Sequence, residues 1–326
     1  MAPVAVTCGD PSGVGPEIAW TAWTALGGDP PFFLIGDPDH VLAHSPEAVV
    51  APIETPEQAI AASKSGLPVL SHPFAAQARP GQPSLANAQG VIDVIARGVD
   101  LVRSGEASAI CTLPISKQVL IQGAGFPHPG HTEYLSVLAG GGPVAMMLAC
   151  QDLRVVPATI HIPLSDVPRS LTPTTLELAI RLTDAALRRD FGIARPRIAV
   201  AGLNPHAGEG GTMGSEENEV IIPVLTILRS EGLDLIGPLS ADTMFHAAAR
   251  AGYDAAVAMY HDQALIPIKT IDFAGGVNVT LGLPFVRTSP DHGTAFDIAG
   301  QGRADPTSFI AALRMAIEMA ARRADA

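Results

Sequence analysis

Short, nearly continuous apolar segments alternate with longer segments of helical periodicity along the whole chain. The apolar segments predict strands, which read in order PVAVTC, FFLIGD, ASAICTLP, VAMMLAC, RVVPATIHIPL, RIAVAGLNPH, AAVAMYH and VNVTLGLPF. Between them, segments such as AQGVIDVIARGVDLVRSG and TPTTLELAIRLTDAALRRDFG have the periodicity of amphipathic helices. Strands that are apolar throughout occur in sheets covered on both faces, so the alternation predicts an α/β protein with a largely parallel sheet.

A glycine-rich turn follows the first predicted strand, in the segment GDPSGVGPEI. Pro16 and Glu17 suit the first positions of a helix that begins after this turn. The spacing of Gly9, Gly13 and Gly15 matches neither the GxGxxG fingerprint nor a P-loop. The turn is therefore interpreted as a tight connection from strand to helix.

Three histidines occupy equivalent places in the predicted sheet. His161 follows RVVPATI, His206 follows RIAVAGLNP, and His261 follows AAVAMY. In open α/β sheets, ligands bind outside the carboxyl ends of the strands, so these imidazoles are expected at one edge of the sheet. Three histidines with an open position suit zinc or a similar divalent ion that acts on a substrate oxygen. The alternative is that each histidine is a hydrogen-bonded structural residue.

Other polar residues also lie at the ends of predicted elements. His131 and Thr132, in GHTEYL, could bind a substrate or cap the helix that starts there, and Asp242 follows a Gly-Pro turn in LSADTMF. Lys269 is one of only three lysines and, with Arg287, could form an anion pocket for phosphate or carboxylate. An ordinary salt bridge between domains is the alternative for these two residues.

The segment SPDHGTAFDIAGQGRADP, from Ser289 to Pro306, predicts a structured loop rich in small residues. It brings together His292, Gly293, Thr294 and Asp297. Such a loop could hold an adenine or ribose, or it could simply lead into the following helix.

Composition narrows the function classes. With 326 residues, 47% of them hydrophobic, the chain is long enough for two domains. A net charge of −12 argues against a nucleic-acid partner, and no apolar run is long enough to predict a membrane span. Three widely spaced cysteines and the absence of a signal-peptide pattern predict a cytoplasmic protein with reduced thiols.

The segments GDPSGVGPEI, GHTEYL, GLNPHAGEGGTMGSEE, GPLSADTMF, AMYHDQALIPIK and GVNVTLGLPFVRTSPDHGTA resemble the 4-hydroxythreonine-4-phosphate dehydrogenase family of pyridoxal phosphate biosynthesis. The resemblance extends from about residue 4 to residue 300. HGTAFDIAG is also similar to the HG(S/T)APDIAG loop of the isocitrate and isopropylmalate dehydrogenases, which share the broader fold.

This resemblance implies an isocitrate/isopropylmalate dehydrogenase-like fold of two α/β/α domains with a cleft between them that holds the active site. The first domain is expected to contain both termini, as residues 1–130 and 285–326, and residues 131–284 are expected to form the second, dimer-forming domain. A homodimer with shared active sites is implied, in which the metal site takes ligands from both subunits.

The resemblance also implies a role for each candidate residue. His161, His206 and His261 match the family's metal ligands, and His131, Thr132, Lys269, Asn278 and Arg287 match its substrate contacts. Asp242 matches an acid near the substrate and, with Lys269, is the predicted catalytic group. His292, Gly293, Thr294 and Asp297 match a loop that contacts the nicotinamide cofactor in the wider group.

The reaction implied is the oxidation of 4-phosphooxy-L-threonine at C3, followed by decarboxylation to 3-amino-2-oxopropyl phosphate. Its cofactors would be NAD (or NADP) and one divalent ion per site, either zinc, magnesium or cobalt. Three alternatives stay open: the same reaction on 4-phospho-threonate, erythronate or a dihydrodiol acid; a metal-dependent aldolase or hydrolase; and a binding protein without turnover.

Overall fold

The computed structural model describes residues 1–325, which group into two compact units. The first unit comprises Met1–Gly142 and Leu283–Ala321, and the second comprises Pro143–Gly282 together with the chain from Arg322 onward. The predicted domain boundaries, after residues 130 and 284, lie near these positions. Residues 131–142, however, group with the first unit, and residues 322–325, which were predicted to belong to the first domain, group with the second. The last position of the predicted first domain, residue 326, lies outside the described residues.

The strands are short and mostly buried. In chain order they are β1 (Val4–Thr7), β2 (Phe32–Gly36), β3 (Val50–Ile53), β4 (Leu67–Ser71), β5 (Ile110–Thr112), β6 (Ala145–Ala149), β7 (Arg154–Pro157), β8 (Arg197–Ala201), β9 (Asp234–Leu239), β10 (Ala255–Ala258), β11 (Val277–Leu281) and β12 (Arg287–Pro290).

The α-helices range from single turns to five turns. In chain order they are α1 (Gly15–Leu26), α2 (Pro38–His44), α3 (Ala59–Ala62), α4 (Ala88–Ser104), α5 (Lys117–Ala124), α6 (His131–Leu138), α7 (Val167–Ser170), α8 (Pro173–Arg189), α9 (Ile222–Ser230), α10 (Ala241–Met244), α11 (Ala247–Arg250), α12 (His261–Ile271) and α13 (Thr307–Ala324).

The first unit contains a parallel set of strands in the order β3, β4, β2, β1, β5, β12. All of the side chains of β1 and β2 are buried, and Phe32 packs edge-on against Phe309 of α13. Buried strands with helices between them are what the continuous apolar segments predicted, so the α/β fold class is confirmed.

The second unit contains strands in the order β11, β6, β7, β10, β8, β9. The last four are mutually parallel, whereas β6 runs antiparallel to both β7 and β11. A core of aliphatic side chains, among them Leu148, Val155 and Ala256, packs beneath α12 through Leu265 and Ile268. The carboxyl ends of β7, β10 and β8 are therefore adjacent.

The glycine-rich turn after β1 packs tightly against two other loops of the first unit. Gly9 has a φ of 69°, and a side chain there would collide with the Pro114 carbonyl oxygen at 2.3 Å. A Cβ on Gly13 would lie 2.9 Å from the carbonyl oxygen of Thr294. The Val14 amide donates to the same oxygen at 3.0 Å. The turn is thus a close-packed connection, as its spacing predicted.

The cysteines and the helices relate to the predictions of reduced thiols and of no membrane span. Cys8, Cys111 and Cys150 are all buried and unpaired, and burial raises the pKa of each thiol, to about 12 for Cys111. Among residues 1–325, no helix combines the length and apolar character needed to cross a bilayer.

Candidate functional site

Each of the three predicted metal histidines follows a different strand of the second unit. His161 comes after β7, His206 after β8, and His261 directly after β10 as the first residue of α12. These strands are neighbours in the order β7, β10, β8, and all run in the same direction. The prediction that the histidines follow the carboxyl ends of parallel strands is therefore confirmed.

His161 and His261 form a close pair. Their ring centroids lie 5.6 Å apart, with the ring planes tilted by 43°. His161 has a φ of 51°, a left-handed conformation that is uncommon for a residue other than glycine. Strain of this kind is retained only where surrounding structure holds it, and it occurs most often at functional sites.

Asp262 orients the ring of His261. Its Oδ1 lies 2.7 Å from His261 Nδ1, so the tautomer that donates from Nδ1 to this carboxylate leaves the Nε2 lone pair for a ligand. Asp242, one of the two predicted catalytic groups, is exposed, and its Oδ1 accepts a hydrogen bond from Ser240 Oγ at 2.6 Å. Its catalytic role stays a prediction.

A small pocket of about 240 Å³ opens beside this pair. Its walls combine polar and apolar groups: Thr159, His161, Ile162, Leu164, Val167, Tyr260, His261 and Asp262. Leu164 is 68% exposed although it is a large aliphatic residue. An apolar rim around a few convergent polar groups is typical of small-molecule sites.

His206 lies in a loop of unusual backbone conformation. Five consecutive residues, from His206 to Gly210, have φ values between 40° and 77°. The buried Glu217 supports this loop, because its Oε1 accepts from the amides of Leu203 at 2.7 Å and Asn204 at 2.8 Å. Its Oε2 accepts from Asn204 Nδ2 at 3.0 Å, and a Cβ on Gly208 would lie 2.5 Å from that oxygen.

Within the 325 described residues of one chain, no three histidine, cysteine, aspartate or glutamate side chains are arranged to hold a metal ion. The structure thus brings together two of the three predicted ligands, His161 and His261, and carries His206 on its own supported loop. The three-histidine site stays a prediction.

The first unit contains a buried arginine at the start of β12. Arg287 is 4% exposed, and its Nη2 and Nε donate to the Thr112 hydroxyl at 2.6 and 3.2 Å. Burial lowers the pKa of Arg287 to about 10, which leaves it charged at neutral pH. A guanidinium anchored in this way is suited to binding a phosphate or carboxylate.

His131 begins α6 in the same unit, with Thr132 next to it in the first helical turn. Its Nε2 atom is buried and has no hydrogen-bond partner among the described residues. Burial, then the charge of Arg287, then that of Lys117 hold the pKa of His131 well below its usual range. The imidazole is therefore neutral at neutral pH, with a buried polar atom that a ligand can satisfy.

Lys269 and Asn278, two more predicted substrate contacts, belong to the second unit. Lys269 lies in the last turn of α12, and its Nζ is 5.6 Å from the ring centroid of Phe273, which is 80% exposed. Asn278 lies in β11 opposite Leu148 and is half-buried. Their roles as substrate contacts stay predictions.

The predicted cofactor loop lies between β12 and α13. His292 and Asp297 are exposed, and the carbonyl oxygen of Thr294 binds the glycine-rich turn as described above. A Cβ on Gly293 would meet nothing within 4 Å. The loop is therefore open at Gly293, and its role in cofactor binding stays a prediction.

The family model described as "Pyridoxal phosphate biosynthetic protein PdxA" matches residues 30–316, which is most of the chain. The chain belongs to the PdxA family. The resemblance seen in the motifs is thus confirmed, and it places the paired histidines and the buried arginine in a family of dehydrogenases.

Among PdxA relatives, the 4-hydroxythreonine-4-phosphate dehydrogenase of Paracoccus denitrificans is 64% identical over 326 residues and covers 98% of both chains. The crystal structure of 4-hydroxythreonine-4-phosphate dehydrogenase from Klebsiella pneumoniae has a TM-score of 0.89 at 38% identity and covers 98% of this chain and 100% of that one. A terephthalate 1,2-cis-dihydrodiol dehydrogenase from Burkholderia xenovorans has a TM-score of 0.67 at 29% identity, over 97% and 98% of the two chains.

Sequence reasoning missed three supporting residues of this PdxA chain: Thr112, Glu217 and Asp262. Asp262 had a local signal, because it follows His261 directly at the end of a predicted strand. Glu217 and Thr112 had none, since their partners lie 13 and 175 residues away in the chain.

Proposed function

We propose that this chain catalyses the NAD-dependent, divalent-metal-dependent oxidation of 4-phosphooxy-L-threonine at C3, followed by decarboxylation to 3-amino-2-oxopropyl phosphate in pyridoxal phosphate biosynthesis. The observation that carries the proposal is the 64% identity, across 98% of both chains, with an enzyme named 4-hydroxythreonine-4-phosphate dehydrogenase. A cytoplasmic location is part of the proposal, supported by three buried, unpaired cysteines.

His161, His206 and His261 would hold the divalent ion. The donor chemistry fits, because the first and third imidazoles are 5.6 Å apart and Asp262 leaves Nε2 of His261 available. When bound, such an ion would polarise the substrate alcohol and later the ketone, which makes loss of CO2 easier. The chain's own contribution is to fix the ring orientations before the ion binds.

Arg287 and Lys269 would neutralise the substrate's phosphate and carboxylate. The neutral imidazole of His131 carries its proton on one of its two ring nitrogens. With the proton on the buried Nε2, His131 would donate a hydrogen bond to an anionic oxygen of the substrate. Thr132, in the same helical turn, would add a hydroxyl donor. Asn278 would orient the substrate, and Asp242 would take part in proton transfer.

The loop with His292, Gly293, Thr294 and Asp297 would hold the adenosine half of the nicotinamide cofactor. NAD would supply the hydride acceptor, which no side chain can replace. The open space at Gly293 and the exposed Asp297 carboxylate are the features that fit a ribose.

The simplest test is an assay of cofactor reduction with 4-phosphooxy-L-threonine, 4-phospho-threonate and a dihydrodiol acid, each with and without a chelator. We expect reduction of NAD with the first substrate, lost with chelator and restored by zinc, magnesium or cobalt. The proposal fails if none of the three substrates reduces NAD or NADP. Faster turnover of the threonate or the dihydrodiol acid would move the assignment to that neighbouring reaction.

The proposal includes a homodimer whose metal sites take ligands from both subunits. Its support is that one chain pairs His161 with His261 while His206 stands on a separate loop. If His206 comes from the other subunit, dimers mixed from His206→Ala and His261→Ala chains regain one intact site. Random pairing would restore about a quarter of wild-type activity.

A matched control is the mixture of His161→Ala and His261→Ala chains. These residues belong to one chain's pair, so every mixed site lacks a ligand and activity should stay absent. If the His206→Ala and His261→Ala mixture stays as inactive as this control, the three ligands do not divide between the subunits as proposed.

A further inference from the structure

The chain has three lysines, Lys64, Lys117 and Lys269, and one of them occupies an unfavourable position in the first unit. Lys117 is the first residue of α5, where the helix dipole disfavours a cation. The helix has no need of it, because Ser116 already caps the end by accepting from the Val119 amide. Among the described residues, Lys117 also has no ion-pair partner.

The side chain of Lys117 reaches the start of a second helix. A Cβ built on Gly130, which precedes α6, would lie 3.4 Å from Lys117 Cε and 3.6 Å from its Nζ. Gly130 provides no side-chain cap, so the first amides of α6 also point at this region without a side-chain acceptor. A carboxylate, Glu133, lies nearby on α6 but forms no ion pair with the amine.

Two cations therefore lie close enough to His131 for their charges to act on it. The charges of Arg287 and Lys117 both act on its imidazole, and the buried Nε2 atom has no partner. We refer to Arg287, His131 and Lys117 as the cationic cluster. A bound dianion would interact favourably with both cations. It would also accept hydrogen bonds from His131 and from the first amides of α6.

We propose that Lys117 is a ligand of the substrate's phosphate group, completing the cationic cluster together with Arg287 and His131. This assignment rests on the function proposed above and deepens it, because it adds a specificity-determining residue. Lys117 contributes a point charge, Arg287 a planar fork held by Thr112, and His131 a single neutral donor. A phosphate monoester has enough acceptor oxygens for all three groups.

The cluster has a second consequence for His131. Because burial, followed by the charges of Arg287 and Lys117, lowers the pKa of His131 and keeps its imidazole neutral, phosphate binding does not require His131 to lose or gain a proton near neutral pH. An unphosphorylated substrate brings no phosphate charge to Lys117. Lys117 thus favours phosphorylated substrates over their unphosphorylated analogues.

The test compares Lys117→Met with Lys64→Met, a lysine-to-methionine change at an exposed residue of the same unit. Losing one charge-assisted contact should raise KM for 4-phosphooxy-L-threonine about 10- to 100-fold, with a smaller change in kcat. The Lys64→Met enzyme should match wild type. KM for unphosphorylated 4-hydroxythreonine should be the same in all three proteins. An equal rise for both substrates would mean that Lys117 does not bind phosphate.

Binding of inorganic phosphate, measured by titration calorimetry on the full chain, tests the ligand role without any turnover. Lys117→Met should bind phosphate at least tenfold more weakly than wild type, and Lys117→Arg should recover part of the loss. Phosphate affinity equal to wild type in Lys117→Met would refute the proposal even if the enzyme turns over another substrate. If Lys117→Met folds poorly, Lys117→Gln takes its place, and NMR titration should show the pKa of His131 raised in either variant.

Discussion

Replacing Glu217 with alanine tests what holds the loop that carries His206. The Glu217 carboxylate is 2% exposed and lies in the π-helical turn at 217–221, just before α9. Alanine removes the acceptor of two backbone amides and of the Asn204 side chain. No other described group accepts from the amides of Leu203 and Asn204.

The expected loss follows from these bonds. A hydrogen bond to a charged acceptor is worth about 1.5–3 kcal/mol. Leu203 and Asn204 are only partly buried, so water can replace the acceptor in part. We therefore count the two backbone bonds at the lower value of about 1.5 kcal/mol each, less what water recovers, and expect Glu217→Ala to lower the free energy of unfolding by about 2–3 kcal/mol. Glu217→Gln keeps one carbonyl acceptor and should lose about 1 kcal/mol.

Urea denaturation and zinc titration measure the two consequences. If the loss falls on the loop, 2 kcal/mol should weaken metal binding by about 30-fold. Glu219→Ala is the matched control, since Glu219 lies in the same turn and is exposed. A Glu217→Ala protein as stable as Glu219→Ala, with unchanged zinc affinity, would show that Glu217 does not support the loop.

Three further changes probe other parts of the molecule. Asp262→Ala removes the acceptor of His261 Nδ1 and should weaken zinc binding about 10- to 100-fold by calorimetry. Arg287→Lys removes the guanidinium group that donates two hydrogen bonds to the Thr112 hydroxyl. It should raise KM for the phosphorylated substrate about tenfold, with little change in kcat. Burial lowers the pKa of His40 below its ordinary value of about 6.5, so the unfolded chain takes up the proton first as pH falls. Stability is therefore lost below about pH 6.5, and His40→Leu should lose less of it in urea melts between about pH 7 and about pH 5; an equal loss would contradict this.

Hydrophobic pattern predicted the central strands of both units but missed β3, β4, β9 and β12. Strands β3 and β9 end the strand orders of their units, where one side is unpaired and proline is tolerated, as at Pro52 and Pro238. Strand β12 reads RTSP, without one aliphatic residue, although all four residues are buried. A strand that buries polar side chains has no apolar signature.

Hydrophobic pattern also failed to predict the helix that begins at His261. The residues from Ala264 to Ile268 are all apolar, and the structure forms helix α12 there, with Pro267 inside it. The helix buries Leu265 and Ile268 in the core of the second unit and leaves Ile266 62% exposed. A period of 3.6 was hidden because both faces of the helix carry aliphatic side chains.

The candidate site could be predicted only as far as single residues follow strand ends. The positions of His161, His206 and His261 after strands were predicted because each interrupts an apolar run. Lys117 does not interrupt an apolar run. The role proposed for it depends on tertiary contacts, with Gly130 and with Arg287, which lies 170 residues later in the chain. Residue types and local order thus indicate the chemistry, while the groups that tune it are found only from tertiary contacts.

The first unit consists of two separate parts of the chain, and this affects the order in which the protein can fold during translation. Strand β12 pairs with β5, yet 174 residues separate the end of one from the start of the other. During translation, the whole of Pro143–Gly282 leaves the ribosome before Arg287 can reach Thr112. The nascent chain can therefore fold Pro143–Gly282, which carries His161, His206 and His261, before Arg287 joins Thr112 in the first unit.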